Sequence, residues 1–177
     1  MINKGEEQRA HLIMKLRGQG IRSASVLSAI ESVPRDIFIE NALKNHAWEN
    51  VTLPIGEGQT ISQPYIVALM TTALNLSGKE IVLEIGTGSG YQASILSLLC
   101  RRVYTIERIK TLHEFSNKKF KELKLNNITT KFGNGSLGWP EVSPFDRIIL
   151  TCAINQIPKQ LFLQLKIGGI LIGPEIL

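Results

Sequence analysis

Apolar positions along the chain change their spacing once, near Gly78. Before it they recur at helical intervals. Leu12, Ile13 and Leu16 share one helical face, and Val26, Leu27, Ile30 and Val33 share another. Pro34 ends the second helix. Residues 45–58 read as a loop, punctuated by Pro54, Gly56 and Gly58. Pro64 stands where a first helical residue belongs, and Ile66, Leu69, Met70, Ala73 and Leu74 give that third helix its apolar stripe.

After Gly78 the apolar residues come in short runs bounded by turn residues. Strands are predicted at 81–85, 103–106, 128–132, 145–151 and 170–172. Helices are predicted between them at 89–100, 112–123 and 158–166, with turns at Asn126-Asn127 and Gly168-Gly169. This alternation predicts an α/β fold: a doubly wound, mostly parallel sheet with helices on both faces and an N-terminal helical extension. Such sheets take ligands at the carboxyl ends of their strands, near the switch point. There is no internal repeat and no Pro/Gly/Ser-rich linker. One domain over 1–177 is expected, with helices and a loop in 1–77 and the α/β core in 78–177.

Composition narrows this picture little. Apolar residues are 44% and charged residues 20%, which suits a globular chain and excludes a disordered or collagen-like one. No apolar run approaches the roughly 18 residues of a membrane helix, and the start of the chain is polar, with no visible secretory signal. Cys100 and Cys152 form no CxxC pair and read as reduced thiols of a cytoplasmic protein. His11, His46 and His113 have no ligand spacing, so no metal site is expected. The net charge of +5 raises the question of an RNA partner. Its densest stretch runs from Lys118 to Lys131 and starts on the predicted lysine-rich helix, where Lys118 and Lys121 fall opposite Leu112, Phe115, Phe120 and Leu123; a solvated helix face is the preferred reading.

The candidate chemistry lies between the first strand and helix of the α/β core. Gly86 and Gly88 let a ligand approach the backbone. Glu107 ends the next strand, in position to accept hydrogen bonds from both ribose hydroxyls of an adenosine. A dinucleotide site reads GxGxxG, its helix N-terminus taking a pyrophosphate. Here the spacing is GxGxG, and Glu84 precedes it. A carboxylate there is unfavourable near a pyrophosphate and favourable near an ammonium, so the pattern suits S-adenosylmethionine better than NAD. The bland alternative is a tight strand-to-helix turn with no ligand.

The residues also resemble a known family, the protein-L-isoaspartate O-methyltransferases. The similarity runs from about Val33 to Gly169. It comprises VPR at 33–35, LPIGEGQTISQPYIVALM at 53–70, VLEIGTGSGYQA at 82–93, VYTIER at 103–108, GSLGWPE at 135–141 and PFDRII at 144–149. The second and fifth of these are particular to the family, whereas the glycine loop fits any class I methyltransferase. The resemblance implies a class I, Rossmann-like methyltransferase that uses S-adenosylmethionine, leaving S-adenosylhomocysteine, to methylate isoaspartyl residues in damaged proteins. It matches Ser62 to the active-site serine. Gln59, Thr60 and Ile61 match the loop over cofactor and substrate; Glu84, Gly86, Thr87 and Gly88 match the cofactor loop. Glu107 matches the ribose acid, and Asn134 and Gly135 the loop beside the adenine.

Four departures stand against it. Asn134 replaces the Asp that takes the adenine amino hydrogen, though its carbonyl can still accept. Ala47-Trp48-Glu49-Asn50 stands for Ala-Tyr-Glu-Asp, and Thr151-Cys152-Ala153 for Thr-Ala-Ala. The chain stops at Leu177, short of the family's terminal strand pair, which leaves the fifth strand as a sheet edge.

An isoaspartyl α-carboxylate, with a pKa near ~3.5, is already ionised at neutral pH. No general base is needed; positioning carries the rate. Ser62 is expected to orient the carboxylate by one hydrogen bond. By position alone, just before Pro64, Ser62 reads as a helix cap. Cys152 has no Pro-Pro-Cys context and reads as a small buried thiol. No Asn-Pro-Pro-Tyr type of motif is present for an amino-group substrate. The expected partners are isoaspartyl proteins and peptides, with a monomer acting on neither nucleic acid nor membrane. Two alternatives remain: an RNA methyltransferase of the same fold, and a truncated homologue that binds cofactor without turnover.

Overall fold

A computed structural model describes residues 4–152 and 156–174. Ala153 and Leu177, which figure among the departures above, lie outside the described residues. Helices α1 (Lys4–Gly18) and α2 (Ala24–Ser32) come first. Ser23 caps α2 by accepting from the Val26 N–H. Two short 3-10 turns, Arg35–Phe38 and Asn41–His46, follow where no regular element was expected.

The expected loop at 45–58 is corrected: its second half is a strand. β1 (Leu53–Gly56) pairs antiparallel with β2 (Gln59–Ile61) in a small hairpin. Glu57 and Gly58 turn the chain with positive φ, and Gly56 sits at the register shift. Pro54, Gly56 and Gly58 masked these strands, because the partner strand rather than local propensity makes them.

Helix α3 (Pro64–Ala73) starts at Pro64 as expected. Its cap is not Ser62. Gln63 occupies the cap position without a side-chain bond, and Asn50 Oδ1 accepts the Tyr65 N–H at 2.8 Å from across the fold. Asn50 therefore keeps the acceptor that an Asp would supply. Asn50→Ala is expected to lower stability by about 1 kcal/mol, and Asn50→Asp by much less; urea denaturation of the two variants measures the difference.

The α/β core follows the predicted order. β3 (Ile81–Ile85), β4 (Arg102–Glu107), β5 (Ile128–Phe132), β6 (Phe145–Leu150) and β7 (Leu165–Ile172) form one parallel sheet, ordered β5-β4-β3-β6-β7. α4 (Tyr91–Ser97), α5 (Lys110–Glu122) and α6 (Lys159–Leu163) connect them. α4 and α6 are shorter than the apolar pattern suggests, and β7 is longer, beginning at Leu165 and shifting register against β6.

The central strands carry two cores. Val82, Val103 and Ile149 pack with Leu74, Leu96 and Phe120 on one face. Leu83, Ile106 and Ile148 pack with Leu161 and Trp139 on the other. β7 lies at the sheet's edge; its Ile167, and Leu163 at the end of α6, are exposed. No described helix is long and apolar enough to cross a membrane.

On α5, Leu112 and Phe120 are buried while Lys118 and Lys121 face solvent, as the spacing predicts. Lys119 pairs with Glu122 at 2.9 Å on the same helix.

Candidate active site

The sheet order reverses between β3 and β6, and a cavity of about 640 Å³ opens at the carboxyl ends of the strands there. Four connections meet at it: the glycine loop after β3, Glu107 at the end of β4, the 134–136 segment after β5, and Thr151-Cys152 after β6. The β1–β2 hairpin and the start of α3 form the opposite wall. Of the residues expected at the site, Gln59, Thr60, Ile61, Ser62, Gly86, Thr87, Gly88, Glu107, Asn134 and Gly135 all line this cavity. Glu84 does not; it lies wholly buried beneath the loop.

The glycine loop is held from both sides. Gly86 N donates to Ile106 O at 2.9 Å, and the Thr151 hydroxyl has its one proton within reach of both Ile85 O, at 3.0 Å, and Gly86 O. Gly86 has φ +95°, and a Cβ there would meet Thr151 Oγ1 at 3.0 Å. Only glycine fits both the turn and the approach. Ile55 of the hairpin reaches over Gly88. The hairpin tip is tied to α5, Thr111 Oγ1 donating to Glu57 Oε1 at 2.8 Å.

Glu107 is nearly buried. Its Oε2 accepts the Gly88 N–H at 2.8 Å and its Oε1 the Ile109 N–H at 2.9 Å. The carboxylate thus fixes the loop and α5 while lining the cavity. Asn134 caps the turn after β5: its Oδ1 accepts the Ser136 N–H at 3.0 Å. One lone pair of that carbonyl is therefore already used, and its amide hydrogens are donors only. Gly135 packs against Ile85 so closely that a Cβ has no room.

Glu84 has a different surrounding. Thr105 Oγ1 donates to its Oε2 at 2.5 Å, and Thr105 Oγ1 is 2.6 Å from Thr87 Oγ1 at the cavity wall. Glu84 Oε1 has no partner. Burial pushes the Glu84 carboxyl up to about 8; the Thr105 hydrogen bond opposes this, and the Glu107 charge adds to it.

Ser62 owes its place to a residue that sequence reasoning passed over. Arg35 is fully buried; its Nη1 donates to Ser62 O at 2.9 Å and its Nη2 to Val51 O at 3.1 Å. Its guanidinium lies 5.0 Å from the Tyr91 ring centre. The signal was present: an arginine directly after Val33-Pro34, among residues packed as core. Thr105 and Thr151 were likewise passed over, being hydroxyls inside strand patterns. Cys152 lines the cavity, and burial raises its thiol pKa, so it is a poor nucleophile. Among the described residues no cluster of His, Cys, Asp or Glu is arranged to hold a metal.

Comparison with known proteins agrees with this layout. The family described as protein-L-isoaspartate(D-aspartate) O-methyltransferase matches residues 7–175. The protein-L-isoaspartate O-methyltransferase of Parvibaculum lavamentivorans is 54% identical over 173 residues, covering 98% of this chain and 78% of that one. Its namesake in Dictyoglomus thermophilum is 53% identical over 169 residues, covering 96% and 77%. A solved protein-L-isoaspartate O-methyltransferase superposes with a TM-score of 0.88 at 30% identity; the match covers 94% of this chain and 55% of that one. A Plasmodium falciparum structure of the same description, in complex with S-adenosyl-L-homocysteine, shares the fold with a TM-score of 0.82 at 24% identity, covering 99% and 86%.

Proposed function

The chain belongs to the protein-L-isoaspartate O-methyltransferase family, and from that premise we infer that it transfers a methyl group from S-adenosylmethionine to the free α-carboxylate of L-isoaspartyl residues in damaged proteins and peptides. The observation that carries the assignment of roles is the meeting on one cavity of Ser62 and the glycine loop that begins at Gly86, 24 positions later in the sequence.

The cavity's own features fit the cofactor. Gly86 and Gly135 form a cradle that side chains would fill, and the buried Glu84 carboxyl, its Oε1 without a partner, stands behind Thr105 and Thr87 at the cavity wall. When bound, S-adenosylmethionine supplies an electrophilic methyl group on a sulfonium. Glu107 would accept the ribose hydroxyls through lone pairs left by Gly88 and Ile109. Asn134 and Gly135 would border the base. Gln59, Thr60 and Ile61 would cover the cofactor from the opposite wall. Thr87 and Gly88 would hold its amino-acid end.

The substrate carboxylate is ionised at neutral pH, with a pKa near ~3.5. The chain therefore has no proton to remove; its task is alignment. Ser62 Oγ donates one hydrogen bond to a carboxylate oxygen and turns the other toward the methyl group. Arg35 holds the Ser62 backbone while this happens. A hydrogen bond to a charged group is worth about 1.5–3 kcal/mol. Ser62→Ala is accordingly expected to lower kcat about 10- to 100-fold and to leave S-adenosylhomocysteine affinity within twofold, read by steady-state kinetics beside calorimetry.

The free Cys100 and Cys152 support a reducing, cytoplasmic setting. The RNA alternative took its motive from charge, and Lys119–Glu122 and Lys110–Glu114 pairs offset part of that charge on α5. The deciding experiment is transfer of labelled methyl to two matched peptides, one isoaspartyl and one aspartyl. Labelling of the isoaspartyl peptide alone is the expected result. Labelling of neither, with S-adenosylhomocysteine still bound, would support the non-catalytic alternative.

A further inference from the structure

Glu84, Thr105 and Thr87 form a line from the buried centre of the sheet to the cavity wall. Glu84 is inaccessible, one of its carboxyl oxygens has no donor, and the other has only the Thr105 hydroxyl. The groups acting on Glu84 are the Thr105 hydroxyl and the Glu107 carboxylate, both from β4; the Cys152 thiol after β6 senses both carboxylates. No lysine, arginine or histidine is among the groups acting on it among the described residues. Glu107, by contrast, receives two backbone N–H groups, one on each carboxyl oxygen. A buried carboxylate oxygen with no donor is costly, whereas the carbonyl oxygen of a neutral acid is far less so.

Each threonine hydroxyl has one proton to give. That makes the line directional. If Glu84 is ionised, Thr105 must donate to it, Thr87 must donate to Thr105, and Thr87 Oγ1 offers lone pairs to the cavity. If Glu84 is protonated on Oε2, it donates to Thr105, Thr105 donates to Thr87, and Thr87 offers a hydrogen instead. The protonation of a residue that never touches the cavity is thus expressed as the polarity of one that does.

We propose that Thr105 and Thr87 are positioning residues which relay the charge state of Glu84 to the cavity, so that binding an ammonium-bearing ligand beside Thr87 expels one proton from Glu84 to solvent. This deepens the cofactor reading above and rests on it. No covalent bond changes; the carboxyl O–H releases its proton to buffer, and the hydroxyl pair reverses. The raised carboxyl, at about 8, supports the protonated resting state near neutral pH.

The test counts protons on binding of S-adenosylhomocysteine. Calorimetry is run at pH 6.5 in two buffers of different ionisation enthalpy; an ordinary α-amino group, at about 7.7–8.0, is cationic there. The wild-type chain is expected to release close to one proton, and Glu84→Gln none. Thr105→Val keeps the carboxyl but cuts the line; it is expected to bind at least tenfold more weakly, with the released fraction falling below one half. Circular dichroism first establishes that each variant is folded, and Thr105→Val decides the matter if Glu84→Gln is not. Binding without proton release by the wild type overturns the relay and leaves the cofactor reading standing. Equal release by wild type and Thr105→Val overturns it too. No binding at all overturns both.

Discussion

Arg35→Ala is expected to lower the melting temperature by about 10 °C and to abolish methyl transfer. Arg35 is the largest of the fully buried side chains, and its guanidinium joins two segments by donating to Val51 O and Ser62 O. Truncation leaves both carbonyls without that donor, at about 1–3 kcal/mol each, and opens a cavity beneath Tyr91. Relief from burying a cation offsets part of the loss, since among the described residues no carboxylate pairs with it and burial lowers its pKa. A net cost of about 3–5 kcal/mol corresponds to roughly 10 °C in a domain of this size. Arg35→Lys keeps the charge but lacks the planar fork and reaches one carbonyl at best. It is expected to recover about half the stability and little of the activity. Thermal denaturation alongside peptide methylation checks both; a melting point for Arg35→Ala within 2 °C of wild type would show that the clamp is dispensable.

The second large effect belongs to Glu107. Glu107→Gln preserves shape and removes one acceptor. The new amide nitrogen must face either the Gly88 N–H or the Ile109 N–H, donor against donor. The loop is expected to rotate to relieve this, and the proposed contact to a ribose hydroxyl to weaken. The combined loss of about 3 kcal/mol predicts a roughly 100-fold weaker Kd for S-adenosylhomocysteine. Titration calorimetry reads it directly. An unchanged Kd would mean that Glu107 serves the loop alone and contacts no cofactor.

These two residues also mark what the sequence makes legible and what it hides. The place of Glu107 on the cavity was legible because three signals coincide on it: a strand end, a glycine loop before it, and the spacing between them. The order of core elements was legible for a similar reason, as buried parallel strands are continuous apolar runs. Arg35 was not assigned a role, because what it does depends on carbonyls 16 and 27 positions away. The β1–β2 hairpin was missed because its glycines and proline announce a loop, and only mutual pairing makes them strands. Ser62 looked like a cap for the same local reason; the acceptor actually used sits on Asn50. Glu84 was placed at the cofactor by its spacing, yet it lies buried behind Thr105 and off the cavity lining, a depth that spacing does not encode.

The order β5-β4-β3-β6-β7 bears on how the chain comes to be folded. β3 is central, yet one of its partners, β6, pairs with it through Val82–Arg147 and its neighbours, about 65 residues further along. Closing such a loop adds entropy cost before any contact is gained. During synthesis, at about 5–20 residues per second, β3 waits several seconds with one apolar edge unpaired while β4 and β5 can already assemble on its other side. That interval, rather than the finished fold, is when this chain is most exposed to misassociation, and slowing translation between residues 86 and 144 lengthens it.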